Sequence, residues 1–110
     1  LAYGSSDEVK ERLKITGSSE DTYITHLIAQ ADAEIDVALK PYTLGFPLSP
    51  VPEAIKQIST DLACGLFWEN RQNTQSIFCV RARAALQNYI LQTYFPKAYS
   101  DSLPVIESGI

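Results

Sequence analysis

A single histidine, His26, and two cysteines, Cys64 and Cys79, are all that the 110 residues offer of those two types. One histidine excludes a histidine-based triad and a multi-histidine metal site. His26 faces away from the apolar stripe of its predicted helix and is expected at the surface or an interface. The cysteines fit no metal spacing and each falls within a helical apolar pattern, so they are expected as buried reduced thiols rather than a disulfide. The serines, threonines and cysteines lack an adjacent base, and there is no glycine-rich phosphate loop or Rossmann turn. No enzyme activity and no cofactor are expected. No run approaches the roughly 18 consecutive apolar residues of a membrane span, and no basic and apolar leader is present. We therefore expect a protein that is soluble and intracellular where it is made, without membrane contact. The first residue is Leu1 rather than methionine, which we read as a start inside or just after the natural terminus.

Acid is missing from a whole stretch. Residues 71–100 carry Arg71, Arg81, Arg83 and Lys97 and no carboxylate, whereas residues 1–40 hold eight acids against four bases. Contact between the acidic front of one copy and the basic back of another is electrostatically favourable. The net charge of −4 argues against a free-standing nucleic-acid binder, which needs clustered lysine and arginine. Arg81 and Arg83 are expected to form inter-helix ion pairs rather than phosphate contacts.

What the chain does have is apolar helix surface. With 45% apolar content it makes one domain, long enough to bury a core without metals or disulfides. The segment from Val51 to Arg71 has Pro52 at the first helical position and Glu53 near the positive helix end, followed by Ile55, Ile58, Leu62, Gly65, Leu66 and Glu69 at helical spacing. Thr60, Cys64, Phe67 and Trp68 fall roughly opposite that stripe, so the helix is apolar on two sides. Such a helix is buried centrally, or buried once in its own domain and again against another subunit. Gly65 lies in the main stripe and admits a close neighbour.

Around this helix, Ser5 and Glu8 have capping-box spacing for a short helix over about residues 6–15, stopped at Thr16-Gly17. Ser18 or Ser19 is expected to cap a long second helix with the stripe Ile24, Leu27, Ile28, Ala31, Ile35, Ala38 and Leu39, ended near Lys40 by Pro41. Ala29, Ala33 and Val37 form a second strip of small residues on its back. Residues 41–52 hold four prolines and a glycine and predict a stiff apolar loop. After a polar break at residues 70–75, a last helix over about 76–95 places Ile77, Val80, Ala84, Leu91 and Phe95 on one side and Phe78, Ala82, Leu86, Tyr89 and Ile90 on the other. Pro96 closes it. The fold expected is an all-α bundle of three to four helices over residues 1–96, with residues 97–110 as an extended C-terminal arm in which Leu103, Val105 and Ile106 are apolar.

Asp32, Glu34 and Asp36 resemble a ligand set on paper. On a helix only Asp32 and Asp36 share a face, which favours a solvated acidic face over a metal site. Phe67, Trp68 and Tyr89, together with Ala29, Ala33 and Val37, are candidates for contact with another subunit or partner, as are Leu103, Val105 and Ile106. The aromatic trio alternatively completes a monomer core. A helical protein-protein interaction or regulatory module of a cell is the alternative reading of the whole.

The order of these elements is familiar. YITHLIAQADAEIDVALKPY, a loop containing PLSPVP, and VPEAIKQISTDLACGLFWENR together resemble the head-tail connector proteins of tailed bacteriophages, also called head completion or adaptor proteins. The likeness runs from about Thr22 to Arg71. It rests on Ile35-Asp36, Tyr42, Pro47-Leu48, Pro52, Ile55, Lys56, Ala63 and Phe67-Trp68. After Arg71 the last helix is more apolar than in many relatives. The resemblance implies a structural subunit of a phage or prophage, made in the host cytoplasm and placed in the virion neck. It implies a homo-oligomeric ring under the portal protein that extends the DNA channel and offers a platform to the stopper or tail-completion protein. The C-terminal segment would reach the portal, and DNA would pass only as cargo through a channel faced by acids such as Asp32 and Asp36. It implies neither catalysis nor a cofactor.

Overall fold

Among the described residues four helices follow one another and no strand occurs: α1 (Ser6–Leu13), α2 (Asp21–Leu39), α3 (Glu53–Gln72) and α4 (Ile77–Tyr94). The computed structural model describes residues 3–43, 45, 48, 50–72 and 75–97. Leu44, Phe46 and Pro47 of the proline-rich loop, and the arm residues Leu103, Val105 and Ile106, lie outside the described residues.

Helix boundaries follow local chemistry at most ends. The Ser5 side chain accepts from the Glu8 amide at 3.5 Å, and Ser76 accepts from the Phe78 amide at 3.2 Å, each satisfying a donor that the first helical turn leaves open. α1 stops earlier than the Thr16-Gly17 signal predicts, because Lys14 adopts the left-handed conformation at φ 59° and its amide returns to Glu11. The expected cap of α2 at Ser18 or Ser19 is not formed. Glu20 occupies that position without a side-chain bond, and the Ser18 carbonyl instead accepts from the Asp21 amide at 3.2 Å in a turn.

α3 is the centre, with α1, α2 and α4 all packed against it. Ile55, Ile58, Ser59, Thr60, Leu62, Ala63, Cys64, Gly65, Leu66 and Phe67 are buried, which is nearly the full circumference of the helix. Its two apolar faces are thus covered within one chain, and Phe67 and Cys64 belong to the core. Val9 of α1, the stripe Ile24, Leu27, Ile28, Ala31, Ile35 and Leu39 of α2, and Cys79, Ala82, Leu86 and Ile90 of α4 close around it. Each full burial of a large aliphatic side chain is worth about 1.5–3 kcal/mol. By contrast the pairs Lys10–Asp21, Arg71–Glu20 and Arg83–Glu34 are largely exposed and contribute at most about 1 kcal/mol each. Packing of the apolar stripes holds the bundle and fixes which face of each helix turns inward.

The residues before α1 are tied down by Tyr3, which is buried. Its hydroxyl donates to Asp36 Oδ1 and accepts from the Leu48 amide at 3.0 Å, and its own amide donates to Asp32 Oδ2 at 3.0 Å. One side chain thus joins the chain start, α2 and the proline-rich loop. Burial and the bond to Asp36 push the phenol up to about 12. Tyr3→Phe keeps the ring but strands the Leu48 amide, and is expected to cost about 1–2 kcal/mol, read as a lower urea midpoint at unchanged slope.

Candidate functional site

α2 turns its apolar stripe inward because Ile24, Leu27, Ile28, Ala31, Ile35 and Leu39 recur every three or four residues. That leaves Ala29, Ala33 and Val37 outward, Val37 with 72% of its surface exposed. His26 is on the same outer side and exposed. Beside this face, Gly4, Ser6, Thr25, Ile28, Ala29, Asp32, Ala33 and Asp36 line an open groove of about 420 Å³ between the chain start and α2.

The two carboxylates do not form the solvated acidic face that spacing predicts. Asp32 Oδ1 accepts from Ser59 of α3 at 2.6 Å while Oδ2 takes the Tyr3 amide, so this side chain fastens α2 to the core and to the chain start. Burial pushes the Asp32 carboxyl above the usual range despite these bonds, and neighbouring Asp36 adds to the rise. A carboxyl raised in the fold lends stability when protonated. That stability is complete below the unfolded value of 3.8 and is lost as pH rises through the folded value. Asp32→Asn keeps an acceptor for Tyr3 and a donor for Ser59 without the charge. Its stability relative to the parent is expected to increase as pH is raised from 3 to 7, measured as the difference in melting temperature across that range; Asp32→Ala, with both partners stranded, is expected to lose about 2 kcal/mol throughout.

α4 divides its two apolar sides unequally. Cys79, Ala82, Leu86 and Ile90 are buried, while Ile77 at 56% exposure, Val80 at 43%, and Ala84 face out. Half-buried Leu91 and exposed Phe95 continue that outer side. Tyr89, a contact candidate because it lies on the second apolar side of its helix, is half-buried in a shallow hollow between α3 and α4 with Ile58, Asp61 and Ala85. Arg83 pairs bidentately with Glu34 of α2, Nε to Oε2 at 2.9 Å and Nη2 to Oε1 at 3.1 Å. Arg81, one turn from Ile77, has no partner among the described residues.

A third region lies at the end of α3. Phe67 is enclosed within its own subunit: the Arg71 guanidinium sits 4.4 Å over its ring, Tyr23 is tilted at 5.8 Å and Trp68 stands edge-on at 5.6 Å. Of the two candidates for subunit contact, Phe67 is therefore core, and Trp68, 36% exposed, is the one left at the surface. At the far end of α4, Tyr42 stacks on Tyr94 at 5.2 Å and meets Phe95 edge-on at 5.4 Å.

Neither thiol is poised for chemistry. Burial pushes Cys64 up, and burial with a hydrogen bond to Glu69 pushes Cys79 up to about 12, the reverse of an activated nucleophile. Among the described residues no three histidine, cysteine or carboxylate side chains converge as a metal site, and no helix is long and apolar enough to cross a membrane.

Of the surface candidates, Ala29, Ala33, Val37, Asp32 and Asp36 share the α2 side, Trp68 stands apart, and Phe67 is core. The outer side of α4 carries exposed apolar residues that were not among the candidates for contact read from the sequence. Its signal was present in the period of Ile77, Val80, Ala84, Leu91 and Phe95, but two apolar sides of one helix look alike until one of them is covered.

A helical bundle whose notable surfaces are outward apolar faces and a carboxylate-lined groove offers surfaces suited to packing against other proteins. The chain belongs to the gp6-like phage head-tail connectors: a family model described as Phage gp6-like head-tail connector protein matches residues 6–103. The match continues past Arg71 through α4 and so includes the more apolar last helix. Neither a curated relative nor a solved structure matches the chain. Its role is that of a phage structural connector, a family role that is structural rather than enzymatic.

Proposed function

We propose that this connector assembles as a ring on the portal protein, extends the DNA channel and presents the platform to which a stopper or tail-completion protein attaches. The observation that carries the reading is the long uncovered apolar side of α4, joined to membership of the connector family. Apolar surface of that extent on a free subunit promotes aggregation unless another protein covers it. Val37 with Ala29 and Ala33 on α2, and Trp68 on α3, supply further contacts. The segment 97–110, with Leu103, Val105 and Ile106, is assigned to the portal. A ring of adjacent copies makes weak contacts of this kind act together. DNA passes as cargo, in keeping with the net charge of −4.

Electron microscopy of virions carrying a labelled copy tests this directly. Label at the neck, and DNA-filled heads without tails when the chain is deleted, are the expected results. Label elsewhere on the particle, with tails attached normally in its absence, would refute the reading.

A further inference from the structure

We propose that the outer side of α4 docks onto a second copy of this chain, in the carboxylate-lined groove between the chain start and α2, with Arg81 of one copy meeting Asp36 of the next. The inference deepens the connector reading and rests on it.

The first support is the shape and chemistry of α4. Ile77, Val80 and Ala84 are exposed along one side of a helix about 27 Å long, with half-buried Leu91 further on and Phe95, which meets Tyr42, just past its end; the subunit's own core takes Cys79, Ala82, Leu86 and Ile90 from α4. The cation on that side is Arg81. Of the four arginines, Arg12 pairs with Asp61, Arg71 with Glu20 and Arg83 with Glu34, and Arg81 alone has no carboxylate partner among the described residues.

The second support is the complementary deficit on α2. Glu20, Asp21, Glu34 and Asp61 each have a basic partner, whereas Asp32 and Asp36 have none among the described residues. Asp36 accepts the Tyr3 hydroxyl on Oδ1, leaving Oδ2 for a partner from outside. No basic residue lines the groove, and Ile28, Ala29 and Ala33 give it an apolar wall. An apolar helix side bearing one arginine fits an apolar wall bearing unneutralised carboxylates. A cation arriving there would also offset the Asp36 charge, which adds to the effect of burial in raising the Asp32 carboxyl.

The occupant follows from the charge layout. Residues 71–100 contain no acid, so a contact of α4 with α4 would offer neither Arg81 a carboxylate from that stretch, whereas the carboxylate excess lies in residues 1–40. The two complementary surfaces sit on different helices. Where the contact is not reciprocated within one pair of copies it runs head-to-tail, leaves one free surface of each kind on every added copy, and is completed by closure of the ring that the connector reading supplies. Asp32 and Asp36 then face a neighbouring subunit rather than the DNA channel.

Cross-linking of the full chain assembled on its portal tests the pairing. Copies carrying Ala84→Cys are mixed with copies carrying Ala33→Cys, both exposed positions, and treated with a short bifunctional thiol reagent; the native Cys64 and Cys79 are buried. A mixed cross-linked dimer, with little product from either variant alone, is expected. Rings in which Ala84→Cys links only to itself or to the portal would overturn the docking mode while leaving the connector reading intact. Absence of the chain from the neck would overturn both. As a second readout, Ala33→Lys and Arg81→Glu are each expected to weaken assembly at least tenfold with unchanged far-ultraviolet circular dichroism, and the double variant to restore it. Failure of the double variant to recover, with both singles impaired, would place the two residues apart and sink the inference.

Discussion

Gly65→Ala is expected to be among the most damaging single-methyl additions the chain can receive. A Cβ built at Gly65 would lie 2.5 Å from Cys79 Sγ, 2.6 Å from the Cys79 backbone nitrogen and 3.1 Å from Phe78 Cβ. The nearest obstacles are the backbone of α4 and the root of a buried side chain, so no flexible chain end can swing away. α3 and α4 must separate, and that movement would unseat Cys79 from the Leu62 carbonyl as well as Ala82 and Leu86 from the core. Alanine is the better helix former by about 1 kcal/mol, which offsets part of the clash. Overpacking in a tight core costs about 1–3 kcal/mol and here meets backbone, so a net loss of about 2 kcal/mol is expected. At roughly 4 °C per kcal/mol for a domain of this size, the melting temperature should drop by about 8 °C. An unchanged or raised melting temperature would mean that the helices do not approach at this point.

Leu62→Ala should be more damaging still. Leu62 is fully buried on α3, the helix that the other three surround. Truncation removes apolar contacts from the middle of the core, and the surrounding helix segments cannot all relax into the void. Comparable buried leucines lose about 3–5 kcal/mol, a large part of a stability that is about 5–15 kcal/mol for domains in general. Urea unfolding followed by circular dichroism measures this as a fall in midpoint. Val37→Ala provides the comparison, since that side chain is exposed and its truncation should stay within about 0.5 kcal/mol. Equal losses at the two sites would contradict the assignment of α3 as centre and the α2 outer side as surface.

Both substitutions touch features that differ in how far the sequence reveals them. The elements were legible, because Pro52, Ser5, the polar break at residues 70–75 and the spacing of Ile24 to Leu39 act within a turn or two of where they stand. Gly65 was legible as a point of close approach for the same reason, though not which helix would use it. The family likeness was legible between Thr22 and Arg71 and covers residues 6–103 once the whole chain is compared.

The surfaces were less legible. Phe67 and Trp68 are neighbours with similar side chains, yet one is sealed beneath Arg71 and Tyr23 while the other keeps an open edge. Asp32 reads as surface acid from its position on α2, and becomes a tether because Tyr3 and Ser59, 29 and 27 residues away, arrive beside it. Glu34 points away from the Asp32 and Asp36 face by helical geometry, and what it meets there is Arg83, 49 residues on.

By itself the sequence determined that this chain is helical, where its helices run, that one histidine leaves no histidine-based catalytic cluster, and that α3 and α4 are each apolar on two sides. Only the tertiary structure decided which of that surface is core: both sides of α3, but one side of α4. The reason is one of range. Helical periodicity and capping depend on residues three or four apart, and these are fixed by neighbours in the chain, whereas the covering of a face depends on which distant segment packs there, and a residue's own neighbours carry no information about that.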